Sequence, residues 1–209
     1  MADIVAARCE IDAAEGFELL AEEYEQSVRE GTSTWEYPEE HRILFEGIPC
    51  WPGLRNLFEP LKQNGVNVTA VVYAPAFGFR YSTVREMAAA YCKAPCSVCI
   101  EDGVEWRETM AKENGVSGAL VNYNRSCKPW SGAMPEIERR WREDLDIPVV
   151  HFDGDQADER NFSQEQYKTR VQGLVEIMNE RKADRVAKGE EVYTNFDNTK
   201  ETDWSKTTI

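Results

Sequence analysis

From about residue 40 the chain alternates short apolar runs with longer stretches in which apolar residues recur every three or four positions. Arg42 to Gly47, reading RILFEG, has the length and apolar density of a buried strand, and Asn67 to Ala74 repeats that character. Between them Gly53 to Asn64 has helical spacing and stops at Gly65. Ser82 to Tyr91 predicts a helix opened by a Ser/Thr cap, and Val98 to Glu113 a further helix stopped by Gly115. Gly118 to Tyr123 predicts a third strand, Pro135 to Leu145 a helix, and Pro148 to Phe152 a fourth strand. Ser163 to about Arg185 predicts a long helix with Tyr167, Val171, Leu174, Val175 and Met178 on one face. Ahead of all this, Ile4 to Arg29 reads as a helix with Phe17, Leu20, Ala21 and Tyr24 at helical spacing. The acidic residues between Glu10 and Glu30 read as a solvated face, with a partner surface as the alternative, and Gly31-Thr-Ser-Thr ends the helix.

Strands alternating with helices imply right-handed crossovers and a parallel sheet covered on both faces. The expected fold is α/β and doubly wound: a Rossmann-like four-stranded parallel sheet with an N-terminal helix and a long C-terminal helix. The expected organisation is an N-terminal helical segment over 1–36, a Rossmann-like domain over 37–187 and a polar, extended tail over 188–209. Ligands of such sheets bind outside the carboxyl ends of the strands, near the point where strand order reverses. That edge receives Gly47-Ile-Pro-Cys50-Trp-Pro-Gly53, Ala74-Pro-Ala-Phe-Gly-Phe79, Asn122-Tyr-Asn-Arg-Ser-Cys127-Lys-Pro-Trp-Ser-Gly132 and Asp153-Gly-Asp155. Cys50 and Cys127 therefore fall on the working edge.

Composition narrows the partners. At 209 residues with 42% hydrophobic content the chain suffices for one domain with a core. A formal charge of −14 opposes binding to nucleic acid or to an anionic membrane surface. The longest apolar run, Ala70 to Phe79, is interrupted by Pro75 and Gly78 and falls short of the roughly 20 residues of a membrane helix. The opening MADIVAARCEIDAAEGF lacks a basic region followed by an apolar one, so no signal peptide is read and a cytoplasmic location is expected. In that compartment the six cysteines are expected as free thiols or metal ligands.

Half of them stand in Cys92-Lys-Ala-Pro-Cys96-Ser-Val-Cys99, a C-x3-C-x2-C spacing used by radical S-adenosylmethionine enzymes to hold a [4Fe-4S] cluster. The string lies between two predicted helices rather than at a strand end, and Val98 stands where those enzymes usually carry an aromatic residue. The alternative is packing, with Cys92 on the buried face of its helix and Cys96 and Cys99 in the next turn. Cys127 is flanked by Arg125 and Lys128, cationic neighbours of the kind that favour a thiolate. His41 and His151 are the only imidazoles, and His151 within a strand reads as structural. Asp153 and Asp155 suit either a cation or a strand-end turn with a helix cap. Trp51 and Trp130 suit either a pocket wall or the core. Phosphate-loop, dinucleotide, GxSxG and HExxH signatures are missing from the sequence.

The run NYNRSCKPWSG, followed by PVVHFDGDQADERNFSQEQYKTRVQGLVEIM and preceded by RILFEGIPCWPGLRNLFEPLKQNGVNVTAVVYAPAFG, resembles the 2-hydroxyacyl-CoA dehydratase and benzoyl-CoA reductase family over about residues 40 to 180. The specificity lies in the order of these segments. The resemblance implies a component of an oxygen-sensitive lyase of anaerobic amino-acid fermentation, a heterodimer of related subunits that each hold a [4Fe-4S] cluster through three cysteines. Cys127 matches one such ligand; the other two belong to an N-terminal half that this chain lacks. The implied chemistry starts with one electron from an ATP-dependent iron-sulfur activator protein. A ketyl radical anion forms on the thioester, the 2-hydroxyl leaves, and the electron is returned. The implied substrate is a 2-hydroxyacyl-CoA, with 2-hydroxyglutaryl-CoA leading, and a flavin is compatible with the family. Arg125, Ser126, Lys128 and Trp51 are the residues expected to orient substrate or hydrogen-bond cluster sulfurs. Two competing readings are a non-catalytic interaction subunit on the same scaffold, and a radical S-adenosylmethionine protein using Cys92, Cys96 and Cys99.

Overall fold

The computed structural model describes residues 11–35, 37–78, 81–95 and 97–190. The start of the predicted first helix, Cys96 and the tail from 191 lie outside the described residues. Among the described residues, those up to Tyr37 and those from Pro38 to Glu190 belong to separate units. In the first, helix α1 spans Ile11–Glu30, and the amides of Gly31 and Thr32 close it by returning to the carbonyls of Val28 and Ser27.

The second unit carries the sheet. Its strands are β1 (His41–Glu46), β2 (Val66–Val71), β3 (Gly118–Asn124) and β4 (Val149–Gly154), all parallel, in the order β2-β1-β3-β4. The helices are α2 (Leu54–Gln63), α3 (Val84–Cys92), α4 (Ile100–Glu113), α5 (Lys128–Ser131), α6 (Met134–Asp144) and α7 (Gln164–Ala187). The doubly wound α/β architecture read from the sequence is the architecture observed.

Alternation along the central strands sorts the core into two layers, because successive side chains point to opposite faces. Ile43, Phe45, Leu120 and Phe152 face α2 and α7, where Leu57, Leu61, Tyr167, Val171, Leu174 and Met178 cover them. Leu44, Ala119, Val121 and Val149 face the other way, onto Val104 and Ala111 of α4 and Ile137 and Trp141 of α6. At the amino ends of the strands His41 is buried, and its Nε2 lies 2.8 Å from the Asn179 side-chain oxygen on α7.

Several boundaries depart from the periodicity. β2 ends at Val71, and Ala74–Phe77 forms a 3₁₀ turn, since Pro75 has no N–H for a sheet ladder. The α3 cap is Thr83, which exchanges hydrogen bonds with Glu86 in a capping box. Cys92 and Cys99 correct the packing expectation. Cys92 closes α3 and Cys99 caps α4, and both are exposed. No residue of α3 is buried. Among the described residues no three His, Cys, Asp or Glu side chains converge on a metal-sized site, and no helix is long and apolar enough to cross a membrane.

Candidate functional site

The order β2-β1-β3-β4 reverses direction between β1 and β3. The loop after β1 leads to α2 on one face and the loop after β3 leads to α6 on the other, which opens a crevice at their carboxyl ends. The turn out of β1 passes through Gly47 at φ 105, a region L-residues avoid, and a Cβ there would stand 2.6 Å from the Asn122 carbonyl oxygen. The turn out of β1 therefore packs closely against the backbone of β3 at the reversal.

Cys127 sits in the β3 loop, partly buried against the α4–α6 layer, and its thiol is free. Asn124, the last residue of β3, builds the turn that presents it. The Asn124 carbonyl accepts from the amide of Cys127 at 3.1 Å and the hydroxyl of Ser131 at 2.8 Å, while its side-chain oxygen accepts from the Ser126 amide at 3.1 Å. That arrangement is an Asx turn leading into the short helix α5. The Asn124 Nδ2 donor is buried and has no partner among the described residues, an orphan that a native structure rarely leaves without a ligand or water.

The remaining predicted residues divide by role. Ser126 donates its hydroxyl to Asp155 at the end of β4, and Asp155 also accepts from the amides of Ala157 at 2.9 Å and Asp158 at 3.1 Å. These donors, Ser126 first, hold the Asp155 carboxyl down at about 2. Asp155 thus makes the strand-end turn and ties the β3 and β4 loops together. Arg125 is exposed and pairs with Asp153 at 2.9 Å, and Lys128 is exposed at the start of α5. His151 is half-exposed on β4, 3.3 Å from Glu138 and edge-on to the Tyr123 ring.

The aromatic pair separates. Trp51 stays 39% exposed while Trp130 is buried at 3%. Tyr73 lies between them, with ring centroids 5.9 Å from Trp51 and 5.7 Å from Trp130. The row crosses the mouth of the crevice from β1 to the β3 loop, so Trp51 is the wall and Trp130 the floor. Beneath it Glu46, the last residue of β1, is fully buried. It accepts from the Trp130 indole N–H at 2.6 Å and from Arg107 Nε of α4 at 2.7 Å. Arg107 completes its own set by donating to the Gly103 carbonyl at 2.9 Å.

Cys50 lies on the opposite layer from Cys127. It is buried, and that burial pushes its thiol up from the usual cysteine range. Asn122 donates to the Ile48 carbonyl at 2.6 Å and lies 3.6 Å from the Cys50 sulfur. Gly154 leaves the space both need, since a Cβ on it would contact the Cys50 sulfur and come within 2.6 Å of the Asn122 side-chain oxygen.

Periodicity did not single out Glu46, Arg107, Asn122 and Asn124. The signal was nonetheless in the sequence: a carboxylate closing an apolar strand in RILFEG, and two amides two residues apart at the end of β3, hence on one face.

Fold and site define a Rossmann-like α/β domain with two free thiols described at the reversal of strand order, Cys127 partly buried and Cys50 buried. The profile of the 2-hydroxyglutaryl-CoA dehydratase D-component family matches residues 1–178, and the chain belongs to that family. It is 65% identical over 178 residues to the alpha subunit of (R)-2-hydroxyglutaryl-CoA dehydratase of Acidaminococcus fermentans, covering 85% of this chain and 37% of the relative. It is 50% identical over 178 residues to the alpha subunit of (R)-phenyllactyl-CoA dehydratase of Clostridium sporogenes, covering 85% of this chain and 44% of the relative. A benzoyl-CoA reductase subunit of Thauera aromatica is 29% identical over 190 residues, 82% of this chain and 43% of the relative. The chain thus spans less than half the length of these relatives. The match starts at residue 1, so it takes in the N-terminal segment that the quoted motifs left out.

Proposed function

We propose that the chain is the part of a 2-hydroxyacyl-CoA dehydratase component that contributes one cysteine ligand, Cys127, to a [4Fe-4S] cluster, with the remaining cysteine ligands outside this chain. The observation that carries the reading is a free, partly buried thiol at the β1/β3 reversal in a chain of this family. The residues fit one corner of such a cluster. A thiolate is the required ligand type, and the orphan amide of Asn124, shortly before it at the end of β3, is a donor of the kind that cluster sulfurs satisfy. A complete ligand set is not assembled among the described residues.

When bound, the cluster supplies the low-potential electron and the Lewis acidity toward the thioester carbonyl that let the 2-hydroxyl depart. The chain's own residues prepare the place for this. Asn124 and the Ser126–Asp155 link fix the loop that carries Cys127. The exposed cations of Arg125 and Lys128 attract the anionic acyl-CoA, and Trp51 closes one side of the crevice. The relative at 65% identity favours 2-hydroxyglutaryl-CoA as the acyl group and a second dehydratase subunit as partner, and the electron source that the family resemblance implies is an ATP-dependent activator.

Anaerobic reconstitution with iron and sulfide, read by visible absorption and electron paramagnetic resonance, tests the reading. The chain co-expressed with a polypeptide carrying the missing length is expected to hold a stoichiometric [4Fe-4S] centre that Cys127→Ala removes and Cys92→Ala leaves intact. A stoichiometric centre on the chain alone that survives Cys127→Ala overturns it.

A further inference from the structure

A cavity of about 380 Å³, within the range of small-ligand sites, opens at the carboxyl end of β4, on the same edge of the sheet as Cys127. Its walls hold Arg125, Arg160 and Arg170 with His151, against one carboxylate, Asp153. In a chain of formal charge −14, three guanidiniums in one cleft are a local reversal of sign. We propose that this cleft binds a phosphate group of the coenzyme A portion of the substrate, an assignment that rests on the function proposed above.

The groups are of the type a phosphate requires. Guanidinium offers a planar fork of donors that meets two phosphate oxygens at once. Arg170 makes no ion pair among the described residues, so its fork is available without breaking a bond. Arg125 is held to Asp153 at 2.9 Å and Arg160 to Asp158 at 2.7 Å. Both guanidiniums are exposed, where ion pairs compete with water, so both can turn to a dianion. The start of α7 borders the same cavity through Ser163 and Gln166. Ser163 is the N-cap of this 24-residue helix and its side chain makes no capping bond, so the positive end of the helix dipole lies at the edge of the cavity. β4 is also the outer strand of the sheet among the described residues.

Position links the cleft to chemistry. Arg125 lines it and stands two residues before Cys127 in the β3 loop. A ligand whose phosphate is held here therefore lies along the same edge as the thiol, as a long substrate with a phosphate-bearing handle and a distant thioester requires. Binding energy gathered at such a remote handle is available to orient the reacting end.

The test is calorimetric titration of the iron-free 209-residue chain with free coenzyme A, inorganic pyrophosphate and pantetheine. Coenzyme A is expected to bind and pantetheine, which lacks phosphate, to show no binding. Arg170→Gln is expected to weaken coenzyme A binding by about tenfold or more with an unchanged thermal midpoint, the scale of one lost charge-assisted pair. The proposal is overturned if pantetheine matches coenzyme A, if Arg170→Gln leaves affinity unchanged, or if coenzyme A fails to bind whether or not pyrophosphate does. Because the chain carries no iron in this titration, a failure leaves the cluster assignment of Cys127 standing, and a failure of reconstitution leaves this result standing.

Discussion

The indole N–H of Trp130 donates to Glu46 at 2.6 Å, joining the first helical turn after β3 to the last residue of β1. Both side chains are buried, and the bond crosses the point where the strand order reverses. The Cys127 loop is therefore braced from below by a charged residue of the neighbouring strand. That carboxylate is in turn held by Arg107 from α4 at 2.7 Å.

Removing one partner of this buried pair leaves the other charge without compensation. Glu46→Gln and Arg107→Met are each expected to destabilise the chain by about 3–5 kcal/mol, read as a fall in the midpoint of chemical denaturation. Trp130→Phe keeps the ion pair and the ring but loses one hydrogen bond to a charged group, so a smaller loss of about 1.5–3 kcal/mol is expected.

Gly154 and Cys50 compete for the same space. Gly154→Ala brings a methyl group against the Cys50 sulfur and to 2.6 Å from the Asn122 oxygen, and overpacking of this kind costs about 1–3 kcal/mol. Cys50→Ala in the same background is expected to recover part of that loss. A double-mutant cycle in denaturant measures the coupling, and strict additivity would count against direct contact.

Thiol reactivity should follow exposure. Mass-spectrometric tracking of alkylation under native conditions is expected to find Cys92 and Cys99 modified early and Cys50 last, because Cys50 is buried and its thiol is pushed up by that burial. Cys50 should react with the others only after denaturation.

Acid should weaken the fold through two groups of the same sign. Asp155 is held at about 2, below its ordinary 3.8; the stability it adds is present above 3.8 and is lost as pH falls toward 2. His41 is lowered from its ordinary 6.5, chiefly by burial, so the folded state binds its proton less readily than the unfolded chain. Its contribution is complete above 6.5 and declines as pH falls below that value. Ser126→Ala is expected to flatten the stability profile between about pH 4 and 2, and His41→Gln to flatten it just below 6.5, both read from denaturation midpoints across pH.

Much of the fold was legible because hydrophobic periodicity reports which faces meet a core. The runs at 42–47, 118–123 and 148–152 are all strands, and α7 buries Tyr167, Val171, Leu174 and Met178 as its spacing implied. The cysteine string at 92–99 was less legible, since a cysteine looks alike in sequence whether its helix is covered or bare. α3 proves to have no buried residue, and Cys92 at its end is exposed.

By itself, then, the sequence determined the element types, the parallel sheet and the loop that carries Cys127, all of which follow from local spacing and from the order of segments. Tertiary structure alone decided that β1 and β3 are neighbours, that Glu46, Arg107 and Trp130 form one buried set, and that Arg125, Arg160 and Arg170 share a cleft. The physical reason is separation along the chain. Side chains tens of residues apart meet only when crossovers pack onto the sheet, and a single sequence records no distance between them.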